Sequence, residues 1–280
     1  MTQAPVAGAC QRIAPGVLRL TAPNPSAMTG PGTNTYLVGE EATVVIDPGV
    51  ADAAHVEAIA AHAPGPISAI LVTHKHPDHT GGAAALSART GAPVHGDATP
   101  LAGPHDPDFT LDAPLAHGAV IAAGAMQLEA VHTPGHTPDH LCFLLREQGL
   151  LFAGDAVMAD VTVVIIPPDG DMHTYFQTLE QLRALALAAI APGHGRVLAN
   201  PMAEIDHIIE HRRQREAQVL ALLQEGPASV AELAARIYPD VPEALRGMAQ
   251  AQLTAHLLKL KAESRVRRDV EQRWSLRQYM

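Results

Sequence analysis

The chain has 280 residues, 47% apolar and 17% charged, and this composition favours a globular protein over a disordered or fibrous one. The length suits one large domain plus a small one. The formal net charge of −10 is uneven, because residues 1–200 carry −11 and residues 201–280 carry +1. Aromatic residues make up only 3%, which argues against an aromatic platform for single-stranded nucleic acid.

The first two hundred residues are predicted to form layers of α and β structure. Short apolar runs there alternate with turn residues. Strands are predicted at Thr43 to Ile46, Ile67 to Val72, Met126 to Val131, Leu141 to Leu145, Leu150 to Ala153 and Leu187 to Ala191, and helices at 51–63, 80–90 and 171–186. We therefore expect a first domain at residues 1–200.

The pattern changes after Pro201 to long helical periods. An apolar stripe predicts a first helix, Ser229 and Glu232 form a capping box that starts a second, and a third follows Pro242. A small hairpin is expected from Val266 to Leu276. Residues 201–280 are therefore predicted to form a winged-helix-like domain. Its apolar stripe could pack on the first domain or on a second copy in a homodimer.

The strongest chemical signal is the run from His74 to His79, HKHPDH, directly after a predicted strand. In an extended segment, residues i and i+2 project to the same side, so His74 and His76 can grip one metal ion. The following turn directs Asp78 and His79 at a second ion. The alternative is a set of surface histidines, which the agreement of four separate segments disfavours.

Three further apolar runs each deliver a ligand-type residue where the strand ends. These residues are His136 in TPGHT, Asp155 in LFAGD and His194 in PGHG, each preceded by glycine. The predicted set has His74, His76 and His136 on one ion, Asp78, His79 and His194 on the other, and Asp155 between them. Asp47, before Pro48-Gly49, is either a turn-forming residue or a support for a ligand histidine.

The motifs THKHPDHTGG, HTPGHT, FAGD and PGHG, taken together, resemble the metallo-β-lactamase superfamily over roughly residues 17–200. The resemblance implies an α+β fold, a four-layer αβ/βα sandwich with the site along one edge of two facing sheets. It also implies that Asp155 bridges two metals. The best-known lactam-cleaving members have a cysteine at one ligand position, so Asp155 indicates other hydrolases of the superfamily.

A narrower resemblance covers nearly the whole chain. Residues 24–28, the segment GTNTYLVG at 32–39 and the helical region ending in AHLLKL at 255–260 are similar to the β-lactamase-like protein 2 group and its bacterial relatives. That group includes an endoribonuclease for single-stranded RNA, so RNA is a possible substrate. The acidic first domain argues against it, because affinity for a phosphate backbone is mainly electrostatic.

The expected mechanism is hydrolysis by a hydroxide that bridges two divalent metal ions. By the family resemblance, Asp78 accepts the proton as water attacks. No residue is identified that protonates the leaving atom, although His173 and Tyr175 are weak candidates. Five imidazoles and two carboxylates favour Zn²⁺, while Fe or Mn remain compatible with the same donors.

The preferred function is cleavage of an ester or thioester-type bond in a small-molecule metabolite. A single-strand endoribonuclease is the alternative enzyme. The non-hydrolytic alternatives are a winged-helix DNA-binding regulator and a di-iron oxygen-binding protein. With two cysteines outside any close thiol pair, and no apolar run long enough for a membrane span, we expect a cytoplasmic protein.

Overall fold

A computed structural model describes residues 4–159 and 162–277, and its first sheet has seven strands. In chain order, which is also their order across the sheet, they are β1 (Cys10–Ala14), β2 (Val17–Thr21), β3 (Asn34–Val38), β4 (Thr43–Ile46), β5 (Ile67–Leu71), β6 (Val94–Gly96) and β7 (Ala113–Pro114). The first four strands are antiparallel, and β4 to β7 are parallel. The parallel half directs the carboxyl ends of its strands to one edge.

The second sheet has five strands. They are β8 (Val120–Ala123), β9 (Met126–His132), β10 (Leu141–Leu145), β11 (Leu150–Gly154) and β12 (Ala189–Pro192), in the spatial order β12-β11-β10-β9-β8. Among the described strands of this sheet, only β11 and β12 run parallel. The last strand begins two residues later than its predicted start at Leu187, because backbone hydrogen bonds turn the chain at 185–188.

Helices cover the outer face of each sheet and form the C-terminal region. They are α1 (Ala53–His62), α2 (Pro77–Thr80), α3 (Ala83–Thr90), α4 (Met172–Arg183), α5 (Pro201–Gln224), α6 (Val230–Ile237) and α7 (Arg246–Ala262), with a final hairpin of β13 (Val266–Arg268) and β14 (Trp274–Leu276). Short 3₁₀ turns lie at Arg146–Gln148 and Glu243–Leu245. The predicted capping box at Ser229 is present.

Alternating strand residues divide the interior into separate cores, as the two-residue period of a strand requires. Along β10, Phe143 lies in the core between the two sheets, whereas Cys142 and Leu144 face the core under α4 and α5. On the first sheet, Leu37 belongs to the core under α1 and α3. The arrangement is the predicted four-layer αβ/βα sandwich.

The long helix α5 joins the sandwich to the C-terminal region. Its first half buries Ile205 and Ile209 in the core of the second sheet, and its second half buries Val219 and Leu223 in a core completed by Trp274 of the hairpin. The predicted winged-helix fold is confirmed, while a division of the chain between residues 200 and 201 stays a prediction. Over the described ranges, no helix has both the length and the hydropathy that membrane crossing requires.

A buried ion pair connects α5 to α7 on the side that faces α4. The Lys259 ammonium lies 2.9 Å from the Glu216 carboxylate, which is 5% exposed, and the His256 ring also faces that carboxylate. Burial raises the pKa of Glu216, but His256 and Lys259 outweigh it, and the net pKa lies below its ordinary value of 4.5. The Glu263 carboxylate forms a second ion pair with the same Lys259 ammonium.

We expect Glu216→Gln to lower the free energy of unfolding at pH 7 by about 1.5–3 kcal/mol, because it weakens hydrogen bonds to charged groups at a buried position. Since the folded-state pKa of Glu216 is depressed, its contribution is complete above about pH 4.5 and is lost as the pH falls through the folded value. Urea unfolding of both proteins across this range measures the difference. The exposed Glu210→Gln on the same helix is the control, and a difference that grows with acidification would contradict the assignment.

Candidate metal centre

The structure brings all seven predicted site residues to one edge of the sandwich. Each follows the carboxyl end of a strand: His74, His76, Asp78 and His79 after β5, His136 after β9, Asp155 after β11 and His194 after β12. The carboxyl ends of these strands meet there because β5 is parallel to β4 and β12 to β11, and because β9 and β11, both antiparallel to β10, run in the same direction. Residues distant in sequence thereby converge, each within eight residues of the end of its strand.

Three histidines form the first group. The Nε2 atom of His74 lies 2.9 Å from Nδ1 of His76, and Nε2 of His136 lies 3.1 Å from the same atom. The other ring nitrogen of His136 donates to the Val164 carbonyl oxygen at 2.6 Å. Since one ring nitrogen of a neutral imidazole carries the proton, Nε2 of His136 presents a lone pair to the group.

Asp78, His79 and His194 form the second group. The Asp78 Oδ2 atom lies 3.5 Å from Nε2 of His79 and 3.3 Å from Nε2 of His194. The Nδ1 atom of His79 donates to Oδ2 of Asp47 at 2.8 Å, which leaves Nε2 of His79 facing the carboxylate of Asp78. Both ring nitrogens that face the group thus sit opposite carboxylate oxygens.

Asp155 lies between the two groups. Its Oδ1 atom is 3.6 Å from Nε2 of His79 and 3.4 Å from Nε2 of His194, while its Oδ2 atom is 3.7 Å from Nε2 of His136. One carboxylate therefore faces both sets of imidazoles. This is the relation that a residue shared by two cations requires.

The donor atoms fit divalent cations. Nε2 of His79 and Oδ1 of Asp155 are buried and have no hydrogen-bond partner among the described residues. Converging lone pairs repel one another, and a cation between them satisfies all of them at once. Mixed imidazole and carboxylate donors suit Zn²⁺, and they also suit iron or manganese.

The histidine pKa values differ between the two groups. Burial lowers the pKa of His76 to about 4, with His136 adding to the effect, and it lowers the pKa of His74 as well. Burial also disfavours the charged form of His79, but the carboxylates of Asp78 and Asp47 outweigh it and raise the pKa to about 9. The pKa of His194 is raised to about 10, since Asp155 outweighs burial. The carboxylates around the second group therefore favour positive charge there, from a proton or from a metal cation.

Asp47 supports the second group through a hydrogen bond to His79. Its carboxylate accepts hydrogen bonds from the backbone and hydroxyl of Thr73 and from His79, and the residue itself has a φ of 50°, in the left-handed region. Of the two interpretations of Asp47 from the sequence, the supporting role agrees with the hydrogen bond to His79, while the role of His79 as a metal ligand stays a prediction. The residue orients a histidine by a hydrogen bond to its outer nitrogen.

The turn that carries His194 is held from the first sheet. Asn34 donates from its side-chain amide to the carbonyl oxygens of Pro192 and Gly195, and the Tyr36 hydroxyl donates to Pro192 at 2.6 Å. The sequence pattern assigns no role to Asn34, although the GTNTY segment that contains it carries part of the family resemblance. Gly193 is needed for a close approach, since a Cβ there would lie 2.8 Å from Oδ1 of Asp155.

A further histidine, His140, orients Asp155. The Asp155 backbone N–H donates to Nε2 of His140, whose other ring nitrogen contacts the Thr133 hydroxyl. His140 is fully buried, and burial lowers its pKa well below the ordinary value, so the ring is neutral. It therefore accepts the Asp155 N–H with an unprotonated nitrogen.

A pocket of about 220 Å³ opens onto both groups. Seven apolar residues line much of it: Met28, Pro104, Met158, Val164, Ile166, Pro167 and Pro168. The remaining described lining residues include Thr29, Thr137 and Asp169, and none is Lys or Arg. The pocket thus combines an apolar wall with an acidic, histidine-rich floor.

Neither weak candidate for protonating the leaving atom lines this pocket. The Tyr175 hydroxyl is buried and donates to the Ala156 carbonyl oxygen at 2.9 Å, and burial raises its pKa to about 12. His173 lies at the start of α4, exposed, and contacts Gln177. Neither residue is therefore placed to protonate a leaving atom in this pocket.

Two family models match the chain. Residues 28–194 match the Metallo-beta-lactamase superfamily, and residues 229–274 match the Beta-lactamase associated winged helix domain. The first match spans more than half of the chain and includes every residue of the two groups.

Individual relatives agree with these matches. A Beta-lactamase-like protein 2 homolog from Drosophila melanogaster is 33% identical, over 92% of this chain and 92% of its own length. An Atrochrysone carboxyl ACP thioesterase from Aspergillus fumigatus is 34% identical, over 82% of this chain and 76% of its own. Among solved structures, a metallo-beta-lactamase family protein from Thermus thermophilus superposes with a TM-score of 0.78 at 25% identity, over 95% of this chain and all of its own.

We expect Asp47→Asn to weaken zinc binding at the second group by roughly 10- to 100-fold, the usual effect of removing such a support. Asparagine tolerates the positive φ and still accepts the Thr73 N–H, but it lacks the carboxylate charge beside His79. Chelator competition on the zinc-loaded protein measures the change. Asp52→Asn, which retains the cap of α1, is the control. Equal zinc affinity in wild type and both variants would exclude the supporting role of Asp47.

Proposed function

The chain belongs to the metallo-β-lactamase superfamily, and on that basis we propose that this metal-dependent hydrolase cleaves a thioester or ester bond of a small acyl compound. The observation that carries the proposal is the pocket, whose described lining offers seven apolar side chains and no Lys or Arg. An acyl chain gains from such a wall by burying apolar surface. A relative at 34% identity is named a thioesterase, which supports the same substrate class.

Two divalent cations are proposed as cofactors. His74, His76 and His136 would hold one, Asp78, His79 and His194 the other, and Asp155 would contact both. When bound, such cations lower the pKa of a water and polarise the oxygen of the bond to be cleaved. Zinc is favoured because five of the seven donors are imidazoles.

Asp78 is proposed to accept the proton of the attacking water. Its side chain is 28% exposed and lines the pocket, whereas the His79 and His194 side chains behind it are nearly fully buried. Burial raises the pKa of Asp78, but His79 and His194 lower it further, to about 2, so the carboxylate is ionised at neutral pH. Its Oδ2 atom also lies 3.4 Å from the Thr33 hydroxyl, which keeps the carboxylate oriented.

The electrostatics favour a neutral acyl substrate over RNA. The first 200 residues carry a net charge of −11, which two divalent cations offset only in part. Binding of a phosphate backbone depends on Lys and Arg contacts that release counterions, and the described pocket lining has none.

The helical region is proposed to support the sandwich rather than to bind DNA. In helix-turn-helix proteins the recognition helix must be free to enter the major groove. Here α7 buries Leu253 and Leu257 in the C-terminal core, while Ala255 reaches the core of the second sheet. The Lys259 ammonium lies 4.6 Å from the centre of the Phe176 ring of α4. Both sides of α7 are thus engaged within the chain.

The deciding experiment compares acyl thioesters of a small thiol with an unstructured RNA oligomer, using one zinc-loaded preparation. We expect thioester hydrolysis, reduced at least about 100-fold in Asp78→Asn because a proton acceptor and a proposed metal ligand are both lost. RNA should remain intact. Cleavage of RNA alone, lost in the same variant, would replace the proposal with the ribonuclease interpretation.

Substrate length provides a second prediction. As long as the acyl chain fits, each added methylene should raise kcat/KM about fourfold, the equivalent of about 0.8 kcal/mol. Ile166→Ala should lower kcat/KM roughly tenfold for the longest chain and leave an acetyl thioester unaffected. Val120→Ala, at an exposed position on β8, is the matched control. Equal losses for short and long chains would show that Ile166 does not contact the acyl group.

A further inference from the structure

The segment 162–166 separates the metal centre from the helical region. It follows β11 and has no regular secondary structure. Val163 and Ile165 are buried in the core of the second sheet, while Val164 and Ile166 line the pocket. This alternation is that of an extended chain whose successive residues face opposite ways.

Three consecutive residues of this segment are held by side chains from elsewhere. The Ile165 N–H donates to Oε1 of Gln252, on α7, at 2.7 Å. The Arg212 guanidinium, on α5, donates to the Val163 carbonyl oxygen. Between these two, the Val164 carbonyl oxygen accepts the Nδ1 proton of His136.

The directions of these bonds follow from extended geometry. The N–H and C=O groups of one residue point to the same side, and those of the next residue point to the other. The groups of Val163 and Ile165 therefore face the helical region, and the Val164 carbonyl faces the metal centre. A displacement of the segment must move that carbonyl.

We propose that Gln252 and Arg212 are positioning residues, through which the helical region fixes the ring of His136 and the apolar wall of the pocket. The inference rests on the proposed role of His136 as a metal ligand. The hydrogen bond from Nδ1 selects the tautomer in which Nε2 carries the lone pair, and it also sets the plane of the ring. Gln252 and Arg212 act indirectly, because they hold the segment whose Val164 carbonyl oxygen accepts this hydrogen bond.

Gln252 is the better residue to change. The Arg212 guanidinium also lies 5.6 Å from the centre of the Tyr175 ring and is 2% exposed, so its replacement would disturb the core. Gln252 is only partly buried, and its Oε1 atom serves the Ile165 N–H. Leucine removes the acceptor at similar size, and glutamate retains a carboxylate oxygen in its place.

The experiment measures zinc affinity by chelator competition in the full-length protein. We expect wild type to hold two zinc ions, and Gln252→Leu to weaken one of them about tenfold, the low end for loss of an outer support, while the other is unchanged. Gln252→Glu should restore most of this affinity. Gln250→Leu, on the same helix and also partly buried, should match wild type.

The outcomes separate this inference from the proposed function. If wild type holds two zinc ions and Gln252→Leu binds both equally well, the positioning role is wrong and the metal centre stands. Equal weakening by Gln250→Leu would likewise exclude it. If wild type holds no zinc, both proposals fail. Thermal unfolding is followed in parallel, and Gln252→Met, which removes the same acceptor with an unbranched chain, replaces Gln252→Leu if the latter does not fold.

Discussion

The constraint on which this structure depends is the convergence of imidazole and carboxylate lone pairs in a small, poorly solvated space. Such atoms repel one another unless protons or cations lie between them. The fold nevertheless holds three nitrogens within about 3 Å of their neighbours and aligns two carboxylates against two further rings. A site of this kind is stable only when the surrounding chain prevents its side chains from turning away. Much of the remaining architecture can be understood as that support.

The support comes from several layers. Asp47 on the first sheet orients His79, Asn34 and Tyr36 hold the turn around His194, and His140 fixes the backbone of Asp155. Each of these contacts joins a strand end of one sheet to a polar side chain of another segment. Since sheets pack as rigid layers, small displacements are resisted by the cores on both sides. The centre is therefore preorganised by groups that never face the pocket.

The C-terminal region extends the same principle to the pocket. Its helix α7 contacts a segment whose buried residues belong to the sandwich core and whose other residues line the pocket. An apolar wall above an acidic floor suits an acyl group and disfavours a polyanion. A winged-helix fold thus need not indicate DNA binding, because a fold alone does not determine function.

The sequence alone determined which seven donor residues form the candidate centre, while their role as metal ligands stays a prediction. HKHPDH and the residues after three later strands were sufficient to predict the set of seven, and apolar periodicity predicted the central strands and the C-terminal helices. Other strands were not predicted. The apolar pattern of β2 is interrupted by the buried Arg19, and β6 to β8 are short. The hydrogen-bond partners of Asn34, His140 and Gln252 were decided only by the tertiary structure. The backbone groups that they hold, at Pro192, Asp155 and Ile165, lie 15 or more residues away along the chain, in segments that approach one another only when the sheets and helices pack.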